Sequence, residues 1–358
     1  MPSVPPRVFR ALAMSACGVS LVLSTTAAAA VAGSPEPSGS ATPAESSRPA
    51  PSSPEPDKAA ADETLREDAA YWTAERMRSA TPVPAAGRNP KTGTGKPRRA
   101  AARLAPPPPG TPKGTLFEGV PTVGTFFVDQ PAGNTTCSGS VVKSPGHNVV
   151  LTAGHCVENW TGGKHWIFVP KYNSNKAAGK QPFGFFPIKK IVLDPRYKSR
   201  PSSAQVTNLD FAFTVVGPNA AGKKLEDVTG ALTLRVTPSY VNTVTVIGYP
   251  KNAGFNPKRK AIKCTMRTKR LPGYRQMQML CGGYYGGVSG SPWIANFDPA
   301  KGTGRVIGNV GGRNGGGNNE EDDWVSYSPF YDHEIMDLYA DTVAGRTPRR
   351  PPYAPGVR

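Results

Sequence analysis

Gly287-Val288-Ser289-Gly290-Ser291-Pro292 lies downstream of Leu151-Thr152-Ala153-Gly154-His155-Cys156, and Asn208-Leu209-Asp210-Phe211-Ala212 stands between them. The chain thus presents a histidine, an aspartate and a serine in that order, each in its own local frame. A serine hydroxyl is a poor nucleophile until a base removes its proton, and an imidazole titrating near neutrality suits that task. A buried carboxylate fixes the imidazole tautomer and stabilises the imidazolium. Backbone N–H groups complete the set by meeting the oxyanion of a tetrahedral intermediate.

Each frame narrows the choice of residue. The glycines around Ser289 permit backbone angles closed to other residues and let a carbonyl approach the main chain. The amides of Gly287 and Ser289 are the expected oxyanion donors. Ser291, the rival nucleophile, lacks the preceding Gly-Val frame and sits directly before a proline. Val149–Thr152 reads as a buried strand, and the small Ala153 and Gly154 allow a sharp exit to His155. His147 and His165 fit loop or surface roles, and His333 belongs to a terminal helix. Asp210 opens the apolar strand ending at Val216 and is expected to orient His155. Its rival, Asp194, stands in Asp-Pro-Arg-Tyr, which reads as an exposed turn. The histidine-first order also speaks against a parallel-sheet esterase fold, in which the histidine comes last.

The flanking sequence suggests export. Arg7 and Arg10 precede an alanine-rich apolar stretch ending at Ala30-Val31-Ala32, so residues 1–32 read as a signal peptide cut before Gly33. Its weak hydrophobicity argues against the alternative, a membrane anchor. Of the five cysteines, Cys17 lies in this signal. The remaining four favour two disulfides in an oxidising compartment. Three pairings are open, and the local ones, Cys137–Cys156 and Cys264–Cys281, are the expected choice. No CxxC or His-x-x-x-His spacing supports zinc, and the reading calls for no metal and no cofactor. The net charge is +18 over 358 residues. No recognition motif accompanies it, so nucleic acid is not an expected partner. Electrostatic adhesion to acidic cell-wall polymers is the expectation instead.

Residues 33–114 are rich in proline and read as a mostly disordered pro-segment or linker, with a helix near 57–80 ended by Thr81-Pro82. From Thr115 the texture becomes short strands between glycines and prolines. Candidates are Val120–Val128, Val149–Thr152, Ile188–Leu193, Phe211–Val216, Val241–Ile247, Gln276–Cys281, Arg305–Val310 and Trp324–Tyr327. A terminal helix follows, capped by Asp332, striped by Ile335, Leu338, Tyr339 and Val343, and stopped by Gly345. The compact domain is placed at 115–345, with a basic tail at 346–358.

The runs LTAGHC, NLDFAF and GVSGSP resemble the trypsin-like (chymotrypsin-fold) serine peptidases, in the secreted bacterial branch that includes the glutamyl endopeptidases. The likeness covers about Val120 to Tyr339. Tyr71–Met77 also resembles a segment of pro-regions in such bacterial enzymes. The resemblance implies an all-β fold of two six-stranded antiparallel barrels with a C-terminal helix. It implies His155 and Asp210 from the first barrel, Ser289 from the second, and the Cys137–Cys156 bridge beside the histidine. It also places Asn309 and Gly311 on the edge strand that pairs with substrate. Asn309 stands where glutamyl-specific relatives carry histidine, so a preference for Glu is not expected. Val288 replaces the aspartate that pairs with a new N-terminus in animal enzymes. Activation, where it occurs, is therefore expected to remove a blocking segment. The acidic run Glu320-Glu321-Asp322-Asp323 reads as a solvated loop, with attraction of basic substrate side chains as the alternative.

The resulting expectation is a secreted, extracellular, monomeric serine endopeptidase that acts on protein or peptide substrates through an acyl-enzyme. The alternative is a catalytically inactive relative serving in binding or cell-surface adhesion.

Overall fold

A computed structural model of the chain describes residues 56–83, 106–160, 162–197, 204–317 and 323–351. The proposed signal peptide, most of the proline-rich leader, Glu320–Asp322 and the end of the basic tail lie outside them. Helix α1 (Pro56–Tyr71) and helix α2 (Ala74–Ser79) replace the single helix expected near 57–80. The break has a local cause. Thr73 caps α2 by accepting from the Arg76 amide at 3.1 Å, and Trp72 turns inward to complete burial. Strand β1 (Thr81–Pro82) follows, and β2 (Thr115–Phe117) opens the main body.

The first half is a closed antiparallel barrel. Its strands are β3 (Val123–Val128), β4 (Thr135–Val142), β5 (Val149–Thr152), β6 (Trp166–Pro170), β7 (Phe186–Leu193) and β8 (Ala212–Val216). Pairing runs β4-β3-β6-β7-β8-β5 and returns to β4, while β1 adds a parallel edge on β4. Alternate residues fill the interior, with Phe126 opposite both Cys137 and Phe168, and Phe168 opposite Phe186. One-turn helix α3 (Gly154–Val157) leaves β5, and α4 (Ala204–Thr207) precedes β8.

The second half follows helix α5 (Leu225–Thr229) and the short strand β9 (Thr233–Leu234). Strands β10 (Thr243–Gly248), β11 (Ala261–Arg267), β14 (Pro292–Asp298) and β15 (Thr303–Asn309) form a sheet edged by β2 and β9. Strands β12 (Lys269–Arg270), β13 (Gln276–Leu280) and β16 (Val325–Pro329) form a second sheet. Only Thr268 separates β11 from β12, so the chain turns the barrel corner there. On the far side, Gly311 N–H donates to the Tyr327 carbonyl at 3.1 Å. This half is therefore a barrel whose ladder is split into two sheets.

Both expected disulfides form, Cys137–Cys156 and Cys264–Cys281. Helix α6 (His333–Val343) is capped by Asp332 and crosses back to pack on β8, with the Tyr339 and Phe213 rings 5.7 Å apart. Its buried stripe contains Ile335 and Leu338, but Val343 at its end is 39% exposed. Among the described residues no helix is long and apolar enough to cross a membrane.

Candidate active site

His155 is held by its backbone before its ring does anything. Strand β5 delivers it, and Gly154 fits because a Cβ there would already press the Tyr197 ring at 3.1 Å. Cys156 ties the next residue to β4. The His155 N–H donates to Asp210 Oδ1 at 2.8 Å, and Nδ1 lies 2.9 Å from Oδ2. Neither side chain is appreciably exposed. Nε2 lies 3.9 Å from Cys156 Sγ, so the outer edge of the ring faces the disulfide. With a carboxylate on Nδ1, the proton belongs on that nitrogen and the lone pair on Nε2.

Asp210 receives donors from several directions. Besides the two from His155, the Gly312 amide donates to Oδ2 at 2.6 Å. The Tyr197 and Tyr331 phenols nearby are both pushed well above their ordinary range, by burial first and then by the Asp210 charge. Asp194, the rival aspartate, is not in an exposed turn. It is fully buried and paired with Arg196, whose guanidinium also meets Glu334 of α6. That network docks the terminal helix. His147 pairs with Asp227 near the surface, His165 with Asp68 of α1, and His333 is exposed.

Ser289 sits in a turn whose shape requires glycine at two places. Gly287 has φ +101° and Gly290 φ +83°. A Cβ on Gly290 would collide with the Ser138 carbonyl and Thr152 Oγ1, and would sit 3.1 Å from the Ala153 amide. The turn is thus pressed onto the strand end that carries His155. Strand β4 grips it as well: Ser138 N–H donates to the Ser289 carbonyl at 2.8 Å, and Ser138 Oγ to the Gly287 carbonyl at 2.8 Å. The amides of Val288, Gly290 and Ser291 all find backbone acceptors. Among the described residues, the amides of Gly287 and Ser289 donate to none, and the Ser289 hydroxyl makes no hydrogen bond. Ser291 is fully enclosed, with its Oγ filling the space beside Gly248 where a Cβ would fall.

Asn309 and Gly311, on the strand expected to pair with substrate backbone, both lie against Asp210. Asn309 is fully buried behind Asp210. Its Nδ2 donates to the Asp210 carbonyl at 3.0 Å, and its Oδ1 accepts from the Tyr331 hydroxyl at 2.6 Å. The side chain therefore supports the aspartate and faces no cleft. Gly311 lies against Asp210, since a Cβ there would be 3.2 Å from Oδ2. Sequence patterning does not point to Ser138 or Tyr331; for Gly312 the one mark available in the sequence is the Gly311-Gly312 doublet, which the structure brings against Asp210. Sγ atoms of Cys137 and Cys156 lie near the His155 ring, but both are committed to the disulfide and cannot ligate a metal.

The sequence matches the family model described as Trypsin over residues 118–329, more than half of the chain. No curated protein matches significantly. Among solved structures, the chain is similar to the protease Anisep from Arthrobacter nicotinovorans, with a TM-score of 0.54 and 23% identity, covering 64% of this chain and 99% of that one. It is also similar to the thermostable serine protease AL20 from an extremophilic microorganism, with a TM-score of 0.53 and 21% identity, covering 63% of this chain and 97% of that one. At these identities the likeness is one of fold.

Proposed function

This chain belongs to the trypsin family and is a serine endopeptidase, and we propose that it is exported and cleaves protein or peptide substrates through an acyl-enzyme on Ser289. The observation that carries this reading is the buried His155–Asp210 pair, set beside a serine turn whose Gly287 and Ser289 amides are unpartnered. Ser289 Oγ attacks the scissile carbonyl carbon as its proton passes to His155 Nε2. The oxyanion takes the two free amides, each worth about 10²–10³ in rate for such a donor. The C–N bond then breaks, and Nε2 returns the proton to the leaving amine. Water repeats the sequence on the ester, its proton going to His155 and then to Ser289 Oγ as the acid leaves.

Two disulfides suit an oxidising, extracellular setting. Residues 1–32 are read as the export signal, 33–114 as a pro-segment or linker, 115–345 as the peptidase domain and 346–358 as a basic tail. The test is hydrolysis of a denatured protein by the purified chain and by Ser289→Ala. Loss of about a millionfold in kcat is expected, with the fold retained. Undiminished hydrolysis by the variant would reject the assignment.

A further inference from the structure

One edge of strand β4 carries three different neighbours in succession. The Asn134 carbonyl, just before the strand, accepts from the Thr81 N–H at 2.8 Å, and the Thr136 carbonyl accepts from the Val83 N–H at 3.2 Å. Next, the Ser138 N–H donates to the Ser289 carbonyl at 2.8 Å. Beyond it, Ser140–Val142 pair with β5. Thr136 and Ser138 are two residues apart, or about 7 Å on an extended strand. The chain's own residues 81–83 therefore lie on the same edge as the serine turn and close beside it. The Pro82 ring also seats on the residue that leads into the turn, since a Cβ on Gly286 would be 3.1 Å from Pro82 Cβ and Cγ.

The direction of the reaction fixes which part of a substrate meets this segment. Nδ1 of His155 is engaged by Asp210, so the leaving amine takes its proton from Nε2. Nε2 faces Cys156, and Cys156 is bridged to Cys137, the neighbour of Thr136. The leaving half of the substrate thus departs toward the β4 edge. An exposed strand edge beside a scissile bond recruits extended peptide through main-chain hydrogen bonds. Here that edge is already paired.

The segment is anchored at several points along its length. Trp72, Met77 and Ala80 are fully buried in the main core, and Trp72 Nε1 donates to the His165 carbonyl at 2.8 Å. Arg259 Nη1 donates to the Met77 carbonyl at 2.6 Å. The Lys251 ammonium holds the Ser79 and Ala80 carbonyls at 2.6 and 2.7 Å, while its backbone N–H holds the Gly286 carbonyl at 2.7 Å. One residue thus clamps both the start of the segment and the entry to the serine turn.

We propose that Thr81–Val83 form a specificity-determining strap that closes the leaving-group side of the cleft and favours substrates with little chain beyond the scissile bond. The proposal rests on the Ser289 mechanism above. Its test uses the full chain, with two substrates that share the same acyl side: a peptidyl p-nitroanilide, and a quenched fluorescent peptide with four residues after the scissile bond. Val83→Pro removes the N–H given to Thr136, and an extended Pro82 tolerates a following proline. Val83→Ala keeps that N–H and controls for lost side-chain packing. Thr81→Pro, which cuts the same pairing one step earlier, serves if Val83→Pro does not fold.

Val83→Pro is expected to raise kcat/KM for the extended peptide about tenfold relative to the anilide, with Val83→Ala near wild type. An unchanged ratio in Val83→Pro, or an equal rise in Val83→Ala, overturns the strap. Fluorophosphonate labelling of Ser289 is run in parallel. Absence of labelling in the wild type would locate the failure in the catalytic assignment, whereas labelling with an unchanged ratio locates it in the strap.

Discussion

The Gly312 amide donates to Asp210 Oδ2 at 2.6 Å, so the backbone after β15 holds the carboxylate that orients His155. With the His155 amide on Oδ1, the carboxylate is fixed from both barrel halves before the imidazole is counted. Asp210→Asn should therefore lower kcat about 10⁴-fold, because an amide cannot fix the same imidazole tautomer. Steady-state kinetics on an active-site-titrated sample checks this. Asp194→Asn should cost stability through its broken pair with Arg196 and leave kcat within a few-fold. The opposite ranking would exchange the two roles.

Asn309 separates support from recognition. Its removal strands the Tyr331 hydroxyl and the Asp210 carbonyl in a dry interior. Asn309→Ala should lose about 1–3 kcal/mol of unfolding free energy for each polar group left unsatisfied. A peptide library cleaved by the variant should show the wild-type preference at the residue before the scissile bond. A changed preference would place the side chain in contact with substrate.

Trp72 tests how far the N-terminal segment belongs to the fold. The side chain is wholly enclosed and packs near Phe127, with ring centroids 5.6 Å apart. Trp72→Ala should destabilise the full chain by about 3–5 kcal/mol, measured by chemical denaturation. A loss under 1 kcal/mol, well below that of a buried aromatic, would mean that the segment docks without contributing to the core.

Lys251 supplies a pH signature. Burial, and then the nearby Arg259 charge, lowers its pKa from 10.5 to about 8. Below pH 8 the amine is charged whether the chain is folded or not, and the burial cost is fully felt. Between pH 8 and 10.5 the unfolded chain holds the extra proton, so stability from this group rises with pH. Denaturation of wild type and Lys251→Met at pH 7 and 10 should show the difference moving in favour of wild type. A flat difference would contradict a depressed amine.

The sequence carried the parts that repeat a strong local pattern. Val149–Thr152 is legible to its observed limits, and the runs following Asp210 and around Gln276 and Val306 carry the pattern of the strands that form. Strand β4 was not legible. Thr135-Thr136-Cys137-Ser138-Gly139-Ser140 has neither alternation nor bulk, yet most of it is buried. Its Ser and Gly are small because the serine turn and β5 press onto that edge, and this requirement comes from tertiary contact alone. Strand β14, opening at Pro292, was hidden by the proline that begins it. At the site, residues with distinctive chemistry were legible. Groups acting through the backbone, such as the Gly312 amide, were not, because a hydrogen bond from the main chain leaves little mark on residue type.

The most direct measurement is labelling of the purified chain with a fluorophosphonate, followed by peptide mass mapping. A single adduct on Ser289 is expected, lost in Ser289→Ala. An adduct on Ser291 or elsewhere, or an unreactive wild-type chain that is folded with both disulfides intact, would contradict the Ser289 assignment.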